Sequence, residues 1–182
     1  LPILQLTPSS RELAKGHSFT IKKKVTPSTA NAAADWKSSN SAIAKVTSAG
    51  KVTGKKYGSV NITCTLKNYD VSATCRVKVA KLRSTVKLNK SSIRINIGQT
   101  YRLKKTVWTN GSKNPKVKFK SKNKRIASVG KTSGKIRGKR VGSTVITATT
   151  SDSVHAKAKC RVIVIRRATL IRLNKTYANC YI

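Results

Sequence analysis

Apolar residues recur along this chain at every second position in short runs, the period of half-buried strands. In Tyr101-Arg-Leu-Lys-Lys-Thr-Val107, Tyr101, Leu103 and Val107 share one face, while Arg102, Lys104 and Thr106 share the other. Val117 and Phe119 alternate with Lys116, Lys118 and Lys120, and Cys75, Val77 and Val79 alternate with Arg76 and Lys78. Polar turns such as Asn110-Gly111 and Ser133-Gly134 separate the runs, and no helix period competes with them. The pattern predicts an all-β fold, an antiparallel β-sandwich with basic residues on its outward positions.

The pattern also repeats. Leu6-Thr-Pro-Ser-Ser10 with Gly16 matches Leu88-Asn-Lys-Ser-Ser92 with Gly98. Trp36-Lys-Ser-Ser-Asn40 with Ile43-Ala44 and Val46 matches Phe119-Lys-Ser-Lys-Asn123 with Ile126-Ala127 and Val129. Gly50-Lys-Val-Thr-Gly54 and Gly58 match Gly134-Lys-Ile-Arg-Gly138 and Gly142, Ile62-Thr63 matches Ile146-Thr147, and Cys75-Arg-Val-Lys-Val79 matches Cys160-Arg-Val-Ile-Val164. The offset drifts from 82 to 85 residues, so insertions fall in loops. Two copies of one domain are expected, over residues 1–81 and 82–166. Leu173-Asn-Lys-Thr176 begins the motif again, so residues 167–182 are read either as the first strands of a third repeat or as a strand-exchange tail.

These ordered motifs resemble the bacterial group 2 immunoglobulin-like domain, over both copies and the start of the third. The resemblance implies tandem immunoglobulin-like β-sandwiches on secreted or surface-attached bacterial proteins, including intimin- and invasin-like adhesins, and on some phage tail proteins. It implies no catalytic site. Phe119 stands where the first copy has Trp36, a core exchange compatible with the fold.

Composition adds charge to this picture. The 182 residues hold 40 Lys plus Arg against 4 Asp plus Glu, a formal net charge of +36. Residues 1–81 contain 14 cationic and 3 acidic side chains, net +11, whereas residues 82–166 contain 23 and 1, net +22. Carboxylate-pair hydrolysis, oxygen-ligated metal sites and Ser-His-Asp catalysis need residues this chain scarcely has, so a non-enzyme without cofactor is expected. The longest apolar run, Val162 to Ile165, is far short of the roughly 20 residues of a membrane-crossing helix. The absence of Met and of a charged-then-apolar leader at Leu1 fits a processed chain or an excised fragment.

Candidate chemistry is sparse. Cys64 and Cys75 lie symmetrically about Tyr69-Asp70 in an expected hairpin, which leaves two readings: a cross-strand disulfide, or buried reduced thiols like Cys160. His17 and His155 read as surface histidines, and Trp108 either packs into its loop or stands exposed as a contact residue. The cations are the stronger signal. Lys116, Lys118, Lys120, Lys122, Lys124 and Arg125 fall on one strand and the loop after it. Lys135, Arg137, Lys139 and Arg140 fall on the next strand and turn, and the ten together are expected to form a basic, anion-binding face.

So large a charge opposes folding unless counter-ions or a polyanion lower it, and this predicts an anionic partner. Lys outnumbers Arg by 28 to 12, favouring point-charge attraction over bidentate base reading. The reading is an extracellular or cell-surface structural or adhesive module that binds a cell-wall polymer, an acidic glycan or an acidic protein subunit. The alternative is a nucleic-acid-associated or phage-structural protein that contacts DNA non-specifically. A homo-oligomer or head-to-tail fibre is a further expectation, with Ile163, Ile165, Leu170 and Leu173 as assembly contacts.

Overall fold

A computed structural model of the chain describes residues 1–28 and 33–167. The described residues form strands and turns, and no helix among them is long and apolar enough to cross a membrane. The first repeat carries β1 (Ile3–Thr7), β2 (Ser10–Ala14), β3 (Ser18–Thr20), β4 (Lys22–Thr26), β5 (Ala34–Ser38), β6 (Ala44–Val46), β7 (Lys51–Gly54), β8 (Gly58–Leu66) and β9 (Ser72–Ala80). The second carries β10 (Ser84–Leu88), β11 (Ser92–Asn96), β12 (Thr100–Arg102), β13 (Lys105–Thr109), β14 (Val117–Ser121), β15 (Ala127–Val129), β16 (Lys135–Gly138), β17 (Gly142–Thr150) and β18 (Lys157–Ile165).

Both repeats use one topology. A four-stranded sheet, β2-β9-β8-β5 or β11-β18-β17-β14, accompanies a three-stranded sheet, β3-β7-β6 or β12-β16-β15, and a two-stranded pair, β1-β4 or β10-β13. The predicted alternation is present. Cys75, Val77 and Val79 are buried while Arg76 and Lys78 are exposed, and Val117 and Phe119 are buried while Lys116, Lys118 and Lys120 are exposed. In the first repeat, Leu13, Ile62, Cys64 and Val77 of the four-stranded sheet share one core with Leu4, Val25, Phe19 and Val52 of the other strands. Trp36 packs half-buried against that core.

Two strands depart from the expected antiparallel layout. The first strand is split: β1 pairs antiparallel with β4, and after a break β2 pairs parallel with β9, setting Leu13 opposite Val79. The second repeat does the same, β11 pairing parallel with β18. One segment thereby pairs first with β4 and then with β9, strands that would otherwise each present unpaired backbone groups. The run from Tyr101 to Val107 is likewise divided into β12 and β13, which belong to different sheets. Leu103 sits buried at the crossover, its N–H donating to Gly134 O at 3.0 Å, as Ile21 N donates to Gly50 O at 3.0 Å in the first repeat. Period-two alternation continues through such a crossover, so it gives no sign of the break.

The repeated motifs have local structural causes. Ser38 Oγ donates to Ala44 O at 2.7 Å, and Asn40 Oδ1 accepts Ala42 N at 3.0 Å. Ser121 and Asn123 repeat both bonds at the same distances, to Ala127 O and from Arg125 N. Gly50 and Gly134 adopt φ of 73° and 68°, where a Cβ would come within 3.0 Å of Trp36 and 3.1 Å of Phe119. The aromatic position and the glycine therefore specify each other.

By spatial clustering the chain divides into two compact units. The first contains Leu1–Lys87, Lys105–Lys118 and Thr149–Ala158; the second contains Leu88–Lys104, Phe119–Ala148 and the described residues from Lys159 onward.

Candidate functional site

All ten cations singled out from the sequence are exposed, but they do not share one sheet. Lys118 and Lys120 point outward from β14, an edge strand of the four-stranded sheet, with Lys116 before it and Lys122, Lys124 and Arg125 in the turn after it. Lys135 and Arg137 point outward from β16, the central strand of the three-stranded sheet. Lys139 and Arg140 follow, both backbone N–H groups donating to Ile126 O, at 2.8 and 3.2 Å. The cations are thus divided between the outer sides of two sheets. Sequence adjacency concealed this, because β14 and β16 succeed each other closely in the chain yet belong to different layers.

The cysteine geometry also differs from expectation. Leu66 N donates to Val71 O, so the β8–β9 turn centres one residue earlier than Tyr69-Asp70. A one-residue shift of the centre moves each cross-strand partner by two, so Cys64 faces Ala73 and Cys75 faces Ile62. Both remain on the core face, as free thiols, and Cys160 is likewise buried and free. Burial pushes all three thiols above their ordinary pKa; nearby Lys23 offsets part of this at Cys64. Ile163 and Ile165 do occupy outward positions of β18, half-buried and exposed respectively, whereas Leu170 and Leu173 lie outside the described residues.

Three of the four carboxylates have structural partners. Asp35 pairs with Lys67 at 3.3 Å on the surface. Asp152 Oδ1 accepts Thr150 Oγ1 at 2.8 Å and His155 N at 3.3 Å. Burial acts to raise its carboxyl, but the proximity of the Ser84 hydroxyl and the hydrogen bonds from Thr150 and His155 outweigh it and hold the group below the usual Asp value. Ser84 Oγ itself stays outside full hydrogen-bond geometry. Glu12 Oε1 accepts Asn110 Nδ2 at 3.0 Å.

Asn110 is a node of the first unit. Only 1% exposed, it also donates from Nδ2 to Lys81 O at 2.8 Å, accepts Arg83 N on Oδ1 at 2.7 Å, and accepts Ala14 N on its carbonyl at 2.9 Å. The adjoining Ser112 N donates to His17 Nδ1 at 3.1 Å, so His17 is a structural acceptor and not a plain surface residue. Trp108 stands on β13 with 52% of its surface exposed.

The first unit also contains an open cleft of about 960 Å³. Lys15, Lys55, Lys81 and Tyr57 line it, with Thr53, Leu82 and Val154, and no carboxylate is among the lining residues. Lys15 Nζ lies over the Tyr57 ring, 5.5 Å from its centroid. Sequence reading passed over this site because its residues come from distant turns. A position-by-position comparison of the repeats carried the signal: Ile97 and Val141 occupy the places of Lys15 and Tyr57.

Residues 3–77 and 84–162 each match the model of the bacterial Ig-like domain, group 2. The chain belongs to this family. Its two group 2 Ig-like domains are tandem, and a relative carries the same region: an uncharacterized protein of Clostridium acetobutylicum is 30% identical over 163 residues. That alignment covers 88% of this chain and 17% of the relative, so the chain spans a small part of the relative's length. Among solved structures, domains 4 and 5 of the surface-layer protein SbsC superpose with a TM-score of 0.52 at 18% identity, covering 91% of this chain and 98% of that one. Domains 4–9 of SbsC give 0.53 at 18%, covering 93% and 31%. These likenesses show that bacterial Ig-like fold.

Proposed function

We propose that this chain is a non-enzymatic structural or adhesive segment of a bacterial surface or extracellular protein, with modules at 1–81 and 82–166, that binds an anionic polymer through charge. The observation that carries this reading is the division of labour between core and surface. Among the described residues the cores are closed by apolar side chains and backbone pairing, and no Lys or Arg is buried in them. Solubility needs a net charge of only about 2 to 8 in a small domain. A surface at +36 is then a means of attraction. Acidic wall polymers and glycans suit it better than a specific DNA site, since lysine supplies most of the charge and an ammonium reads phosphate or carboxylate without base preference.

The test is binding of the full chain to a wall teichoic acid, to an acidic glycan and to duplex DNA across a salt series. Binding to polymer or glycan is expected to persist at salt that abolishes DNA binding. The reverse order would favour a DNA-contacting role and remove the surface-adhesive one.

A further inference from the structure

We propose that the cleft of the first unit is a subsite for an acidic polysaccharide, with a uronic-acid ring against Tyr57 and its carboxylate among Lys15, Lys55 and Lys81. The proposal rests on the polyanion-binding reading above and assigns it a place and a ligand class. Three observations carry it.

First, the lining combines cations with an aromatic ring in one concavity. Tyr57 is 56% exposed, Lys15 lies over its ring, and Lys55 and Lys81 border the same space. A uronate residue offers both complementary features within one ring: an apolar C–H face and a carboxylate attached directly to it. An exposed tyrosine supplies a rigid apolar surface for the first. An acidic peptide carries its carboxylates on flexible arms without such a face. Second, the cleft is open along the surface, and about 960 Å³ is ample for one or two sugar residues of a chain that continues on either side.

Third, the fold does not require these residues. The second repeat has the same corner, where Ile97 N donates to Ile165 O as Lys15 N donates to Ala80 O, and Gly98 N to Gly138 O as Gly16 N to Gly54 O. There Ile97 is 45% exposed and Val141 54% exposed, in the places of Lys15 and Tyr57. The cation and the ring are particular to the first repeat, and packing does not explain them.

The second repeat also supplies the variant. Lys15→Ile with Tyr57→Val installs residues that this backbone already carries at the equivalent positions. Binding of a short oligogalacturonate to the full chain is measured by calorimetry, beside a neutral cello-oligosaccharide, polyglutamate and duplex DNA. Wild type is expected to bind the oligogalacturonate and not the neutral sugar. The double variant is expected to lose about tenfold or more in oligogalacturonate affinity, roughly 1.4 kcal/mol, with DNA affinity and urea midpoint nearly unchanged. Lys55→Ala with Lys81→Ala, which leaves the ring in place, is expected to show a comparable loss. Oligogalacturonate affinity equal in wild type and both variants would overturn the cleft while leaving charge-driven binding intact. Polyglutamate binding as tightly, with the same dependence on Lys15 and Tyr57, would overturn the saccharide class. Wild type that binds no polyanion even at low salt would remove the broader function and the subsite with it.

Discussion

Cys64, Cys75 and Cys160 show how narrowly a residue's chemistry depends on register. Both first-repeat thiols keep the core face predicted from alternation, yet the turn shift sets them opposite Ala73 and Ile62 and not opposite each other. Burial then raises their pKa above the ordinary thiol value of 9.0. The folded state therefore holds these protons to higher pH than the unfolded state does, so the unfolded chain binds fewer protons above pH 9 and stability falls there. Urea unfolding followed from pH 8 to 10.5 is expected to show the midpoints of Cys64→Ala and Cys75→Ala rising relative to that of the wild type as the pH increases. The same burial predicts that the three thiols react with an alkylating reagent only after unfolding, localised by peptide mass spectrometry; rapid labelling of the native chain would contradict it. Face assignment was legible in the sequence because alternation records it directly. Pairing was not, since the chain between Leu66 and Val71 fits more than one turn centre and the core-facing positions stay core-facing when partners move by two.

At the scale of elements, the repeat was the most informative signal, and the glycines explain why it is so regular. Gly50 has φ of 73°, and a Cβ there would come within 2.7 Å of Ile21 O and 3.0 Å of Trp36. Gly16 has φ of 79° with nothing within 4 Å. Both Ala substitutions incur the left-handed backbone cost of about 1 kcal/mol, but only Gly50→Ala adds a collision with backbone and an aromatic ring. Urea denaturation is expected to show Gly50→Ala destabilising by about 3 kcal/mol or more and Gly16→Ala by about 1; equal losses would mean that the Trp36 contact carries nothing. The motif Trp36-Lys-Ser38-Ser-Asn40 is conserved between repeats for a comparable reason, its Ser and Asn closing a turn through hydrogen bonds that Ser121 and Asn123 reproduce. The strand splits at Ile21 and Leu103 were hidden, because a residue buried at a crossover reads like any other inward position. The division of the cations between β14 and β16 was hidden by the same ambiguity, since sequence gives a residue's face but not its sheet.

For the whole molecule, charge is the dominant departure from an ordinary protein surface. With net +11 over residues 1–81 and +22 over residues 82–166, self-repulsion opposes the compact state in each segment. Salt at about 0.1 M shortens the screening length to roughly 10 Å, so moderate salt is expected to raise the thermal midpoint before any specific ion effect enters. A midpoint that falls or stays level between low and moderate salt would mean that the cations are spaced too widely to repel. The size of the charge was legible at once, but the cleft that gives part of it a defined geometry needed the folded chain, which gathers Lys15, Tyr57 and Lys81 from separate turns. The network around Asn110 bears on the protein's lifetime. Asn110-Gly111 is the dipeptide most prone to deamidation, in which the glycine nitrogen attacks the side-chain carbonyl, ammonia leaves and a cyclic imide forms. Here Gly111 N is tied to Thr109 Oγ1 at 3.0 Å, and the Asn110 amide is held by Glu12, Lys81 and Arg83. Ring closure would break these four bonds at about 1 kcal/mol each, so mass spectrometry is expected to find Asn110 converting on the order of a thousandfold more slowly in the native chain than in urea, and equal rates would refute the protection. The fold thereby sets the pace at which this segment of the chain ages chemically.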